Sequence, residues 1–169
     1  MVNPTLSALE IGGSFLRLLQ GLDSRRDLTV RRVREVTGIS LKKASFPSEN
    51  IESYIHGQTL GNGWSYSLEL IPESRSLKQG ISLSFINQKN EYSSLEGNCI
   101  DFERYKNSLV NSGFFDSPIY DEIGRLRSWR FSKFAKGGSG DDIIISLVPA
   151  DETPGSPGRI CVKSIGTLN

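Results

Sequence analysis

A single histidine, two cysteines and a single methionine are all that this chain of 169 residues holds of those types, and each scarcity removes a class of chemistry. With His56 alone, any Ser-His or Cys-His arrangement would run through one side chain in the polar stretch NIESYIHGQTL. No serine sits in a GxSxG elbow, no GxGxxG follows a strand pattern, and no GKS or GKT ending closes a glycine-rich loop. Cys99 and Cys161 have no cysteine or histidine at zinc spacing, and the DxDxDG calcium signature is missing. The chain is therefore read as a non-enzyme, with no catalytic residue, metal site or cofactor expected. Long apolar runs are missing too, so no segment reaches the roughly 20 residues of a membrane span. The opening MVNPTLSALEIGGSFLRLLQ lacks a basic start and a long apolar core, and so is not an intact signal peptide.

Excess charge of either sign is also lacking. Lys plus Arg is 20 against 19 for Asp plus Glu, a net of +1, which argues against a dedicated DNA-binding domain. The composition, 37% hydrophobic and 23% charged, is that of a folded protein rather than a disordered one. Its length suits one compact domain over residues 1–169. Alanine is rare and serine abundant, which fits a strand-rich exported domain. In an oxidising compartment Cys99 and Cys161 are expected to pair, closing a loop of about 60 residues. A mature periplasmic or secreted form is accordingly favoured over a cytoplasmic one.

Hydrophobic periodicity supplies the elements. Leu6, Leu9, Phe15, Leu16 and Leu19 fall mostly on one stripe and predict a helix over 5–20, weakened at Gly12 and Gly13. Val30, Val33 and Val36 predict a second helix from Thr29 to Thr37, with Gly38 as its C-terminal cap. DFERYKNSLVNS predicts a third over 101–112, with Phe102, Tyr105 and Leu109 inward and Gly113 as cap. Period-2 alternation predicts strands at Ile39–Leu41, WSYSLEL, GISLSFIN, GRLRSWRFSKF, DIIISLV and RICVKSIGTL. GNG at 61–63 and GGSG at 137–140 read as hairpin turns, and the proline- and glycine-rich stretch between 149 and 158 as a loop. The fold class is α+β: an antiparallel sheet of six to seven strands covered by two or three helices. A helix, a glycine stop, a Trp-x-aromatic strand and an apolar strand occur in both halves, so the chain also reads as two helix-plus-meander repeats, 27–90 and 99–168.

Two basic segments invite a nucleic-acid reading. In GRLRSWRFSKF, alternation turns Trp129 and Phe131 inward with Arg125, Arg127 and Lys133 towards the ends of that face. Arg130 goes to the solvent face with Ser128 and Ser132. A binding platform presents exposed aromatics between cations; here the cations flank a buried pair. In SRRDLTVRRVRE, the inward valines leave Arg25, Arg26, Arg31, Arg32 and Arg34 on an outer surface, where charge is ordinarily just solvated. With the net charge balanced, another protein is the expected partner, and the expected function is a non-enzymatic protein-binding module. An inhibitor or an immunity-type protein neutralising a bacterial toxin or effector fits that description. Its contacts are sought among charged and aromatic residues assigned to loops: Tyr54, His56, Asp116, Tyr120, Asp121 and Glu122. The alternatives are nucleic-acid binding through Arg25, Arg26, Arg31, Arg32, Arg34 and Arg130, that is, helix 24–35 with strand 124–134, or a carrier of a small apolar ligand between sheet and helices.

Overall fold

The computed structural model describes residues 2–46, 51–90, 93–95, 97–138, 141–150 and 160–168. Three helices lie where the apolar stripes place them: α1 (Ala8–Gln20), α2 (Val30–Thr37) and α3 (Phe102–Asn111). Ser7 opens α1 with a reciprocal capping box, its hydroxyl accepting from Glu10 N while the Glu10 carboxylate accepts from Ser7 N. Thr29 and Asp101 cap α2 and α3. Gly38 ends α2 at φ 78°, a left-handed conformation that suits glycine.

Eight strands follow among the described residues: β1 (Lys42–Phe46), β2 (Ile51–Thr59), β3 (Trp64–Ile71), β4 (Gly80–Asn87), β5 (Phe115–Tyr120), β6 (Leu126–Lys133), β7 (Ile143–Pro149) and β8 (Val162–Thr167). All pair antiparallel in one sheet of order β1-β2-β3-β4-β8-β7-β6-β5. The fold is α+β as expected, with eight strands rather than six or seven. Three strands lie outside the segments read as strands: β1, which begins just after Leu41, β2, whose sequence reads as a loop or ragged strand, and β5, whose sequence reads as a loop. β2 is IESYIHGQT, with glycine and polar side chains on both faces. β5 is FDSPIY, and its Pro118 is tolerated because β5 is an edge strand. Ile39 and Leu41, read as a strand, are instead buried just ahead of β1.

The two halves have the same element order, a helix followed by a four-strand meander, and their meanders meet along β4 and β8. The strands bearing Trp64 and Trp129 are not equivalent in that order. β3 is third in its meander, and β6 is second in the other. The proline-rich stretch 151–158 and the second half of GGSG lie outside the described residues.

The core fills the space between helices and sheet. Ile11, Phe15, Leu18 and Leu19 of α1 meet Tyr66, Leu68, Leu83, Ile145 and Ile165 of the sheet in one buried cluster. The glycines that weaken α1 as a helix have a packing reason at Gly12, where a Cβ would stand 2.5 Å from Ile100 Cδ1. The Gly12 carbonyl also accepts from the buried Tyr105 hydroxyl, tying α3 to α1. Cys99 and Cys161 are disulfide-bonded, with Cα atoms 5.1 Å apart. The bond fastens the segment before α3 to the start of β8, alongside the hydrogen bonds Phe102 N to Ile160 O and Val162 N to Ile100 O.

Among the described residues helices cover one sheet face, and the other mixes serine and glycine with scattered charged and aliphatic side chains. Following the register, one row runs Lys42, Ile55, Glu69, Ser82, Gly166, Ser146, Arg130, Ser117 across all eight strands. The next runs Gly57, Ser67, Ser84, Ser164, Val148. An antiparallel sheet with one wet face needs such alternation.

Candidate functional surface

The six residues expected to contact a partner fall into two groups at opposite sides of the sheet. Tyr54 and His56 belong to β2, and Asp116 and Tyr120 to β5, six strand spacings away or about 30 Å at the usual separation. The first group is not an exposed surface. Tyr54 packs against the core, and His56 Nδ1 lies 3.1 Å from Asn3 Nδ2, with the ring edge-on to Tyr66. Burial, with Lys42 adding, lowers the His56 pKa below its ordinary 6.5. His56 is thus a half-buried group held against the N-terminal segment by Asn3. Gln58 completes the clasp, its amide bonding both backbone groups of Leu6. The side chains face this way because β2 is a strand, whose period of two turns Tyr54, His56 and Gln58 together towards the helices.

Of the second group, Tyr120, Asp121 and Glu122 come together at the hairpin of β5 and β6, and Asp116 does not. Asp121 organises the turn: its Oδ1 accepts from Ile123 N at 3.0 Å and Arg125 N at 2.8 Å, and its Oδ2 accepts from Arg125 Nε at 3.0 Å. The Arg125 backbone hydrogen bond leads in holding this carboxyl below its usual pKa, and the Arg125 side chain adds to it. Arg127 Nε is 4.0 Å from the same carboxylate. Tyr120 and Ile123 stand out from this fixed turn, 57% and 73% exposed. With Asp121, Glu122, Arg125 and Arg127 they line an open cleft of about 360 Å³. Asp116 is engaged differently, accepting at 2.9 Å from the Trp129 indole N–H.

Trp129 and Phe131 face the helices. Phe131 is fully buried; Trp129 is partly so, with Phe102 edge-on to it and Lys106 Nζ 4.2 Å from its ring centre. Lys133 shares that face, donating to Leu22 O and lying over Phe114. Arg125 and Arg127 serve the hairpin, and Arg130 lies on the open face opposite Ser117 and Ser146.

The arginines of the 24–35 segment do not form one free basic surface. Arg25 is 3% exposed, donating to the carbonyls of Gln79 and Leu168, and is an interior residue rather than a surface one. Arg26 pairs with Asp141 at 2.7 Å and Arg31 with Glu35 at 2.9 Å, while Arg32 donates to Gly21 O. Arg34 is on α2, whereas Arg130 is on the sheet face that the helices leave open.

Among the exposed apolar residues that the sequence reading does not place at a surface are Phe115 at 67%, Ile123 at 73% and Phe134 at 69%, and Leu9, assigned to the apolar stripe of α1, is exposed as well. The signal for Phe134 was available. Alternation in WRFSKF that buries Trp129 and Phe131 sends Arg130, Ser132 and Phe134 to the opposite side. For Ile123, the sign was an aliphatic residue inside a polar turn, DEIGR. No protein-family model matches the chain, and comparison with curated proteins and with solved structures finds no significant match.

Proposed function

We propose that the protein is a non-enzymatic binding module that neutralises or modulates a partner protein, a toxin or effector in the inhibitor or immunity manner, and engages it through the tip of the β5–β6 hairpin. One observation carries this reading: Tyr120 and Ile123 project beside exposed Arg125 and Arg127 from a turn that Asp121 fixes. Aromatic, aliphatic and arginine anchors of this kind supply most of the energy of protein interfaces. A turn already held by three hydrogen bonds loses little freedom on binding, which lowers the cost of association. The arginines call for acidic groups around the partner's apolar receptor for Ile123.

The test is affinity capture from the source cell with the wild-type chain and the variants Ile123→Ser and Tyr120→Ser, washed at moderate salt and read by mass spectrometry. One stoichiometric protein is expected with the wild type, reduced tenfold or more by Ile123→Ser, a loss of about 1.4 kcal/mol or greater. Melting temperatures of the variants should match the wild type, since both residues are exposed. Equal recovery with all three chains would remove the hairpin from the interface.

A further inference from the structure

At the corner of the open face, two phenylalanines stand on a surface otherwise built of serine, glycine and a few aliphatic residues. Phe115 of β5 and Phe134 just beyond β6 are 67% and 69% exposed, with ring centres 6.0 Å apart and planes tilted by 60°. Phe115 lies opposite Ser132, and the next cross-strand pair on this face is Ser117 with Arg130. Register extends the face through Ser146 of β7 and Ser164 of β8. The exposed Arg130 has no ion pair or hydrogen bond among the described residues. None of the open-face strand positions from β8 to β5 carries a carboxylate, and Asp116 is turned to Trp129 on the covered face.

From this geometry we propose that the β8-β7-β6-β5 half of the open face is a binding platform for single-stranded nucleic acid. Bases stack on Phe115 and Phe134, Arg130 meets a phosphate, and the serine hydroxyls bond sugar and phosphate oxygens. The reasoning is complementarity of three kinds. Exposed rings on an antiparallel sheet offer π-faces that every base can use, and four strands, about 14 Å across, hold two or three splayed nucleotides. The unpaired guanidinium, with no carboxylate on the open-face positions of β8 to β5, favours an anionic ligand, while the nearest acid at the corner, Asp142, is engaged by Ala135 N. Serine is depleted in protein interfaces, whereas hydroxyls are common donors to phosphates, so the serine-lined face suits nucleic acid better than an acidic protein. A duplex does not fit, because its bases are already stacked on one another and offer no free face to Phe115 and Phe134. This site is separate from the hairpin tip and does not rest on the protein-binding reading.

The experiment is fluorescence anisotropy with a labelled oligothymidylate, its duplex with oligoadenylate, and labelled polyglutamate. The proteins are the wild type, Phe115→Ser, Phe134→Ser, Arg130→Ala and, as a control at the other surface, Ile123→Ser. The wild type is expected to bind the single strand and neither the duplex nor polyglutamate. Each phenylalanine variant should lose on the order of tenfold in affinity with melting unchanged, and Ile123→Ser nothing. Because one cation is engaged, the log–log slope of affinity against salt should be shallow, about −0.7 in the wild type and near zero in Arg130→Ala. Failure of the wild type to bind the strand overturns the proposal. So does equal binding of strand and duplex, tighter binding of polyglutamate, or strand binding indifferent to both phenylalanines.

Discussion

Arg25 shows how one residue can look like function in the sequence and be structure in the fold. It stands in an arginine-rich stretch, yet its guanidinium is buried and donates to Gln79 O and Leu168 O, joining the start of the chain to its last strand. Replacing it by methionine leaves both carbonyls without a donor, and urea unfolding should report a loss of about 2 kcal/mol. Arg31→Met, at an exposed i,i+4 pair with Glu35, should change stability by no more than about 0.5 kcal/mol. His56 gives a second residue-scale expectation. Its folded pKa lies below the ordinary 6.5, so the unfolded chain takes up this proton first as pH falls. The stability it contributes is intact above 6.5 and is lost as pH drops through the folded value. Between about pH 7 and pH 5 the wild type should therefore lose more unfolding free energy than His56→Gln. Parallel curves would mean that the ring protonates freely in the fold.

At the scale of elements, the sequence was informative where one face was apolar and silent where neither was. α1, α2 and α3 match their stripes to within three residues at each end, and β3 and β4 follow the alternation in WSYSLEL and GISLSFIN. β2 and β5 were not legible as strands because their patterning is mixed. β2 turns Tyr54, His56 and Gln58 inward as a polar clasp, and β5 at the sheet edge has Asp116 and Pro118 where a central strand would have apolar residues. The candidate site shares that fate: only Asp121 and Glu122 are turn residues, whereas Asp116 and Tyr120 belong to β5 and Tyr54 and His56 to β2, whose mixed patterning hides both strands. The disulfide was legible as a pairing of the two cysteines, since the chain offers no third. It links the segment before α3 to β8 across a separation of 62 residues. In the chain-entropy model its loss costs about 4 kcal/mol, or on the order of 10 °C in melting temperature for a chain of this size. Calorimetry of the wild type with and without reductant, beside Cys99→Ser/Cys161→Ser, should show that drop, and reductant should not affect the double variant. A change below about 1 kcal/mol would mean that the hydrogen bonds around Ile100 and Val162 already hold the segment.

For the whole molecule, the sheet divides the surface by chemistry. One face is sealed by helices; the other is a broad wet face of serine and glycine with scattered charged and aliphatic side chains, ending at Phe115 and Phe134. Of the two edges, β1 carries Lys42 and Lys43, with Lys43 paired to Glu52, whereas β5 continues into the hairpin that displays Tyr120 and Ile123. Lysines on an edge discourage strand pairing with another chain. The account therefore assigns partner binding to the β5–β6 end and none to the β1 end, a distinction that site-specific photocrosslinking measures directly. A crosslinking side chain is placed at Ile123 in one protein and at Lys43 in another, and each is irradiated with source-cell extract. The account predicts one discrete protein adduct from position 123 and none from position 43. An adduct from position 43 with none from 123 would contradict it.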